Sequence, residues 1–209
     1  MKRRVSILIS GRGSNMSALI AAARGEAYPA EIVLVLANRS DAAGLAHATA
    51  AGIATVVIDH KPFGRDRAAH EAAIDAALRR AGVELVCLAG YMRLLTPFLV
   101  QAWAGKMLNI HPSLLPAFPG LETHARALAA GTKLHGCTVH LVTEAIDEGP
   151  ILAQAAVPVF SNDTEAALAA RVLAQEHLLY PTALAALASG RPASSPPADT
   201  ALRNPAGFP

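Results

Sequence analysis

Cysteines are scarce in this sequence of 209 residues, which contains only Cys87 and Cys137. Each lies alone in an apolar stretch, so the paired spacing of a zinc site or a redox motif is absent. So few cysteines also exclude a secreted scaffold that depends on several disulfides. Two buried thiols in a reducing compartment are the simplest interpretation, and we expect a cytoplasmic protein.

Charged residues and long apolar runs are also few. Charged residues make up 16% of the chain and the net charge is +2, with no run of lysines and arginines. A tight nucleic-acid binder usually carries such a basic patch, so we expect no nucleic-acid partner. No apolar segment approaches the ~20 residues that cross a bilayer, so we expect no membrane partner. The 53% of hydrophobic residues suit a globular protein with a proper core.

Short runs rich in Val, Ile and Leu alternate with alanine-rich segments through the first half of the chain. Such runs are typical of strands that are buried on both faces. The predicted strands are 5–10, 31–37, 54–58, 85–89 and 107–111. The predicted helices are 16–24, 44–51, 66–81 and 96–104. This alternation favours an α/β fold with an open, Rossmann-like parallel sheet and helices on both faces.

The second half of the chain has a different pattern. Two further apolar runs, 135–142 and 151–159, are joined by the short, turn-rich segment 143–150. That spacing predicts a hairpin, so we expect antiparallel strands added to the parallel sheet.

A long helix is predicted over 164–188, with Thr164 as its N-cap and Gly190 as its stop. The segment that follows, 191–209, is rich in Pro, Ser and Ala. We therefore expect one domain over 1–190 and a loosely held C-terminal tail.

A glycine-containing loop, SGRGSN at 10–15, follows the first predicted strand and opens the first helix. Glycines let the backbone approach an anion closely, and free N–H groups at a helix start hold phosphate. The dinucleotide fingerprint needs a third glycine where this chain has Met16, so the loop suits a single phosphate better than NAD. An ordinary turn between a strand and a helix has the same composition, and the loop alone leaves both alternatives open.

The segment NIHPSLLP at 109–116 is the most informative part of the sequence. Asn109 and His111 end an apolar strand two residues apart, so their side chains point the same way. Open α/β sheets bind ligands at the carboxyl ends of their strands. An amide beside an imidazole can hold the oxyanion that forms when a nucleophile attacks a carbonyl. Alternatively, His111 only caps the strand and bonds to nearby backbone.

A carboxylate, Asp147, lies on the predicted hairpin loop in the sequence IDEGP at 146–150. This loop can fold over the same part of the sheet, where the carboxylate would orient the imidazole of His111 and assist a proton relay through water. Residues 147–150, DEGP, are also typical of an ordinary turn.

Taken together, these segments resemble the glycinamide ribonucleotide formyltransferase family of purine biosynthesis. The similarity runs from Val5 to about Gly190, with the motifs in the family's order and spacing. The motifs are ISGRGSN at 9–15, LAGYMRLL at 88–95, NIHPSLLP at 109–116, HGCTVH at 135–140 and QEH at 175–177. The resemblance implies the formyltransferase fold and a single catalytic domain over 1–190.

The resemblance also implies a reaction between two small molecules. The amine of N1-(5-phosphoribosyl)glycinamide attacks the formyl carbon of the cosubstrate 10-formyltetrahydrofolate, giving formylglycinamide ribonucleotide and tetrahydrofolate. Asn109 and His111 match the family's oxyanion-stabilising pair, and Asp147 matches the acid that supports the histidine and helps to move the proton. No metal is implied, and we expect a monomer or a weak homodimer.

Two binding regions follow from the same resemblance. The ribonucleotide is expected at the glycine loop and the late helix, at Gly13, Ser14, Asn15 and Glu176. The folate is expected along an apolar wall with a few polar anchors, at Met92, Arg93, Leu94, Leu95, Asn109, Val142 and Ile146. A basic residue before the third helix matches a contact to the folate tail, and spacing favours Arg67 over Arg65.

Two other functions remain as alternatives. A 10-formyltetrahydrofolate deformylase transfers the same group to water, although its sequence after the first histidine differs from Pro112-Ser113. A non-catalytic nucleotide-binding module would keep the glycine loop without needing Asn109, His111 and Asp147 together.

The other histidines are interpreted as structural or surface residues; they are His47, His60, His70, His135, His140 and His177. Position 122 is a glutamate where some relatives carry a histidine, which leaves His124 as the imidazole of that segment.

Overall fold

A computed structural model describes residues 1–190 as seven strands with helices around them, and the predicted tail over 191–209 lies outside the described residues. The strands are Arg3–Ile9 (β1), Ala30–Ala37 (β2), Ala54–Val57 (β3), Leu85–Leu88 (β4), Met107–His111 (β5), Leu134–Leu141 (β6) and Ile151–Pro158 (β7). The helices are Ser14–Ala23 (α1), Gly44–Ala50 (α2), Arg67–Arg80 (α3), Pro97–Ala102 (α4), Thr123–Ala129 (α5) and Glu165–Ala188 (α6), with a 3₁₀ helix at Lys61–Phe63.

The strands form one sheet in the order β3-β2-β1-β4-β5-β6-β7. Neighbours among the first five strands are parallel, whereas β6 is antiparallel to both β5 and β7. The predicted fold class and the predicted hairpin are therefore confirmed.

The core lies in two layers, one on each face of the sheet. Successive residues of β1 point to opposite faces, so Ile7 packs in one layer and Leu8 in the other. The first layer includes Leu19 from α1 and Val172 from α6, and the second includes Ile74 from α3. Coverage on both faces explains why the parallel strands are almost continuously apolar.

The long helix α6 is fixed to the centre of the sheet. Its N-cap is Thr164, whose hydroxyl accepts a hydrogen bond from the Ala167 amide at 3.2 Å. Near its other end the buried Tyr180 hydroxyl lies 3.1 Å from the carbonyl oxygens of both Leu88 and Leu108. This hydroxyl therefore connects α6 to β4 and β5, the strands that lead into the candidate site.

One helix was absent from the sequence-based assignment, which placed no element between the fifth strand and the hairpin. Helix α5 has seven residues and buries only Thr123 and Ala127, so its apolar periodicity is too brief to detect. Glu122, just before it, has φ 55°, a left-handed conformation that non-glycine residues seldom adopt. Within residues 1–190, no helix combines the length and apolar character needed to cross a membrane.

Candidate active site

Strand β5 presents two polar side chains beside β6. The antiparallel register pairs Asn109 with His140 and His111 with Thr138. Asn109 and His111 are two residues apart, so they share one face of the sheet with the residues opposite them. Asn109 and His111 were expected here from the sequence, and the register adds His140 and Thr138.

The imidazole of His111 is buried and faces an oxygen atom at each nitrogen. Its Nε2 lies 3.0 Å from the carbonyl oxygen of Phe118, and its Nδ1 lies 3.5 Å from Oδ2 of Asp147. His111 therefore does bond to nearby backbone, as expected if it only capped the strand, but this bond occupies only Nε2. A doubly protonated ring can donate to both oxygens.

The hairpin loop brings Asp147 to this place by folding back along the sheet. The loop begins at the end of β6, where Leu141 pairs with Leu108. Leu108 lies three residues before His111, so the loop must cover ~10 Å along β5 to reach the histidine. Asp147 has φ 57°, which an aspartate tolerates better than most residues. Its Oδ2 accepts a hydrogen bond from the Gly120 amide at 2.8 Å, so the carboxylate is anchored where it meets His111.

His140 completes this cluster, although the sequence analysis treated it as a structural or surface residue. Its Nε2 lies 3.2 Å from Nδ2 of Asn109 and 3.8 Å from Oδ1 of Asp147. A shift in the pairing of β6 with β7 occurs at Val139/His140, and such irregularities re-aim side chains. Burial lowers the pKa of His140, so the ring is held neutral near pH 7.

The loop after β5 is held by side chains rather than by a strand partner. Thr138 donates from its hydroxyl to the carbonyl of Ser113 at 2.7 Å and accepts from the Leu115 amide at 3.0 Å. Ser113 in turn donates to the carbonyl of Ala117 at 2.6 Å. This network fixes the segment that leads to Phe118, the partner of His111.

The predicted glycine loop turns tightly into α1. Gly13 has φ 74° and precedes Ser14, the first residue of α1. A Cβ at position 13 would lie 3.0 Å from Cε of Met16 and 3.1 Å from Cα of Gly44. Glycine is therefore required here by both conformation and space. The first N–H groups of α1 have no intrahelical partner and remain available to a ligand.

Asn15 and Glu176, predicted to belong to the same binding region, are in direct contact. Nδ2 of Asn15 donates to Oε2 of Glu176 at 2.7 Å, and both side chains are buried. Burial raises the pKa of Glu176, and the bond from Asn15 opposes that shift. Oδ1 of Asn15 has no hydrogen-bond partner among residues 1–190, so a buried acceptor is left for a ligand.

The predicted folate wall is an exposed apolar surface. Met92, Leu94 and Ile146 are 72%, 58% and 57% exposed. Leu95 and Val142 are partly buried and pack against the core layer under α3 and α4. The surface and its support thus come from two segments that are far apart in the chain.

The backbone of this wall is tied to the rest of the site. The Met92 amide donates to the Ser10 hydroxyl at 2.8 Å, which connects the wall to the glycine loop. Nη1 of Arg67 lies 3.5 Å from the carbonyl of Leu94. Arg65 and Arg67 are both exposed, and Arg93 is half-buried. The contact with Leu94 shows that Arg67, the first residue of α3, reaches the wall.

Side chains that could hold a metal are not clustered in the part of the chain that the structure describes, where no group of three His, Cys, Asp or Glu residues is found. An amide, imidazoles and a carboxylate meet around the end of β5.

The sequence and the fold have counterparts in known proteins. A family model described as formyl transferase matches residues 3–184, so the chain belongs to the formyl transferase family, as the motifs indicated. Phosphoribosylglycinamide formyltransferase of Escherichia coli (strain K12) is 43% identical over 187 residues, which cover 90% of this chain and 88% of that protein.

Two further relatives differ in how much of their length is matched. The crystal structure of phosphoribosylglycinamide formyltransferase from Brucella melitensis has a TM-score of 0.87 and 59% identity, covering 92% of this chain and 98% of that one. The trifunctional purine biosynthetic protein adenosine-3 of Drosophila melanogaster is 47% identical over 197 residues, or 93% of this chain. The chain spans only 14% of that longer protein.

Proposed function

We propose that this chain transfers the formyl group of 10-formyltetrahydrofolate to the amine of N1-(5-phosphoribosyl)glycinamide in de novo purine (IMP) biosynthesis. The products are formylglycinamide ribonucleotide and tetrahydrofolate. The observation that carries the proposal is the meeting of Asn109, His111 and Asp147 at β5 in a member of the formyl transferase family. The names of the E. coli and Brucella relatives, which match this chain along most of their length, support the same activity.

Asn109 and His111 stabilise the oxyanion in the proposed reaction. The amine nitrogen bonds to the formyl carbon, and the carbonyl electron pair moves to the oxygen. Nε2 of His111 is held by the Phe118 carbonyl, so Nδ1 is the nitrogen that faces the reaction. Its 3.5 Å separation from Asp147 is long for a hydrogen bond and leaves Nδ1–H available to the oxyanion, since catalytic hydrogen bonds often tighten only with substrate bound.

Asp147 supports the charged imidazole and assists proton movement. When the carbonyl re-forms, the bond from carbon to N10 of the folate breaks. The proton that the amine loses ends on N10, and a water held by the carboxylate of Asp147 relays it. The anchoring bond from Gly120 keeps this carboxylate in place during the transfer.

The ribonucleotide occupies the glycine loop in this proposal. Its phosphate meets the N–H groups at Gly13 and Ser14, where the helix dipole of α1 favours negative charge. Asn15 and Glu176 bind the ribose or the glycinamide end. The unpartnered Oδ1 of Asn15 supports this assignment because it needs a donor, which a hydroxyl or amide of the substrate supplies.

The folate lies against the apolar wall. The proposed contacts are Arg67, Met92, Arg93, Leu94, Leu95, Asn109, Val142 and Ile146. A flat, largely apolar ring fits the exposed Met92, Leu94 and Ile146, and the position of Arg67 beside Leu94 favours Arg67 over Arg65 for the folate tail. We further propose a cytoplasmic monomer or weak homodimer with one catalytic domain over 1–190, acting on small molecules without a metal.

The test is a transfer assay with 10-formyl-5,8-dideazafolate and glycinamide ribonucleotide, which follows release of the deformylated folate. Asn109→Ala and His111→Ala should each lower kcat by about 100-fold to 1,000-fold, the usual scale for losing an oxyanion donor. The KM of both substrates should stay within a few-fold. Asp147→Asn should lower kcat and alter its pH profile. His47→Gln, at an exposed position, is the matched control and should retain full turnover.

Two outcomes would contradict the proposal. Folate release that persists without the ribonucleotide would identify a deformylase, and ribonucleotide binding without any release would indicate a non-catalytic nucleotide-binding module. Unchanged turnover in His111→Ala would show that the oxyanion is stabilised elsewhere.

A further inference from the structure

His140 is a buried histidine that the proposed reaction does not itself use. It lies directly opposite Asn109 across the β5–β6 ladder, at the point where the pairing of β6 with β7 shifts. Cross-strand neighbours of this kind have side chains close enough to bond. The contact between His140 and Asn109 is therefore fixed by the register of two paired strands and does not depend on the position of a loop.

The backbone determines which nitrogen of His140 carries the proton. Nδ1 lies 3.0 Å from the carbonyl oxygen of Leu141, and a carbonyl only accepts, so Nδ1 is the donor. In the neutral ring Nε2 then has a bare lone pair, which lies 3.2 Å from Nδ2 of Asn109. Burial favours the neutral ring by lowering its pKa, with His111 acting in the same direction and Asp147 in the opposite one.

That lone pair also decides how the Asn109 amide is oriented. An asparagine side chain has nearly the same shape after a half-turn that exchanges its oxygen and nitrogen. With Nδ2 toward His140, one N–H bonds to Nε2 and the second remains for the oxyanion. After the half-turn, Oδ1 would face the lone pair of His140, and the amide would no longer donate to the oxyanion as required.

We propose that His140 is a positioning residue for the formyl transfer: its Nε2 holds the Asn109 carboxamide so that an N–H points at the reacting carbonyl. This inference rests on the proposed function. His140 acts only through Asn109 and contacts neither substrate.

The experiment compares His140→Leu with His140→Gln in the transfer assay. Leucine removes the acceptor, and kcat should fall about fivefold to tenfold, the equivalent of one net hydrogen bond. The KM of both substrates should change less than about twofold, since the contact orients a group that acts in the transition state. Glutamine places an acceptor oxygen near the position of Nε2 and should recover most of the loss.

A double-mutant cycle separates positioning from a general structural effect. If His140 acts through Asn109, His140→Leu in the Asn109→Ala background should change kcat less than about twofold. His47→Leu is the control, because His47 is an exposed histidine on α2 and lies on neither β5 nor β6. Its kcat should stay within about twofold of the wild type.

Three results would each overturn the inference. They are a double variant whose loss of kcat equals the product of the two single losses, an unchanged kcat in His140→Leu, and a kcat in His140→Gln no higher than in His140→Leu. If the wild type transfers no formyl group, the proposed function fails, and ¹⁵N NMR of the imidazoles then decides the contact alone. We expect His140 as the neutral Nδ1–H tautomer at pH 7, with an Nε2 shift that changes in Asn109→Ala. An Nε2–H tautomer would contradict the contact.

Discussion

Acid should destabilise this protein through His135, a histidine buried far from solvent. Its side chain is 0% exposed and packs edge-on against Phe118 and His124, at centroid distances of 5.9 and 5.2 Å. The Pro112 carbonyl lies nearby, but neither ring nitrogen has a partner of normal hydrogen-bond geometry within the described chain. Burial, aided by His124 and His111, lowers the pKa of His135 to about 4.

The direction of the effect follows from proton binding in the two states. The unfolded chain binds a proton at His135 below about pH 6.5, whereas the folded protein resists protonation until about pH 4. Between these values the unfolded state holds more protons, so the free energy of unfolding falls as the pH falls. The gap corresponds to at most about 3 kcal/mol, a large part of the 5–15 kcal/mol typical of a domain.

Urea unfolding at several pH values between 7.5 and 4 measures this effect in the wild type and in His135→Leu. The leucine variant cannot titrate at this position, so its stability should decline less with acid, by up to about 3 kcal/mol. Other buried histidines such as His70 and His140, whose pKa values are also lowered, contribute to both proteins and cancel in the difference. Parallel pH profiles for the two proteins would refute the reasoning.

Two substitutions test the framework around the site. Tyr180→Phe removes the hydroxyl that contacts the carbonyls of Leu88 and Leu108. The free energy of unfolding, measured in urea, should fall by about 1–2 kcal/mol. An unchanged urea midpoint would show that this hydroxyl does not stabilise the fold. Gly149→Ala puts a Cβ onto the carbonyl oxygen of Leu141, so the hairpin loop must shift, and kcat should fall about tenfold to hundredfold. Full activity in that variant would mean that the position of the loop is not critical.

The strands and most helices could be predicted because each has a local signature. The apolar run at Met107–His111 was placed at its observed bounds, and the long helix Glu165–Ala188 was placed with the correct N-cap. Helix α5 was missed because a seven-residue helix offers too little periodicity. Asn109, His111 and Asp147 were placed together through motif resemblance, and the structure brings them together.

His140 was not foreseen because alternation along the strand puts it and His135, five residues earlier, on opposite faces without showing which face meets the site. What separates them is register: one lies opposite Asn109, and the other packs with Phe118 and His124. Register depends on pairing between distant segments, which a single sequence does not reveal. The hairpin loop was expected to fold over the sheet, but the ~10 Å that it covers follows from the pairing of β6 with β5.

The bond between Asn15 and Glu176 joins side chains 161 positions apart, one near each end of the described chain. A fragment cut anywhere between them cannot present both halves of the proposed ribonucleotide pocket. During synthesis on the ribosome, that pocket is finished only after α6 has emerged and docked, so the nascent chain is expected to have no affinity for substrate before that point.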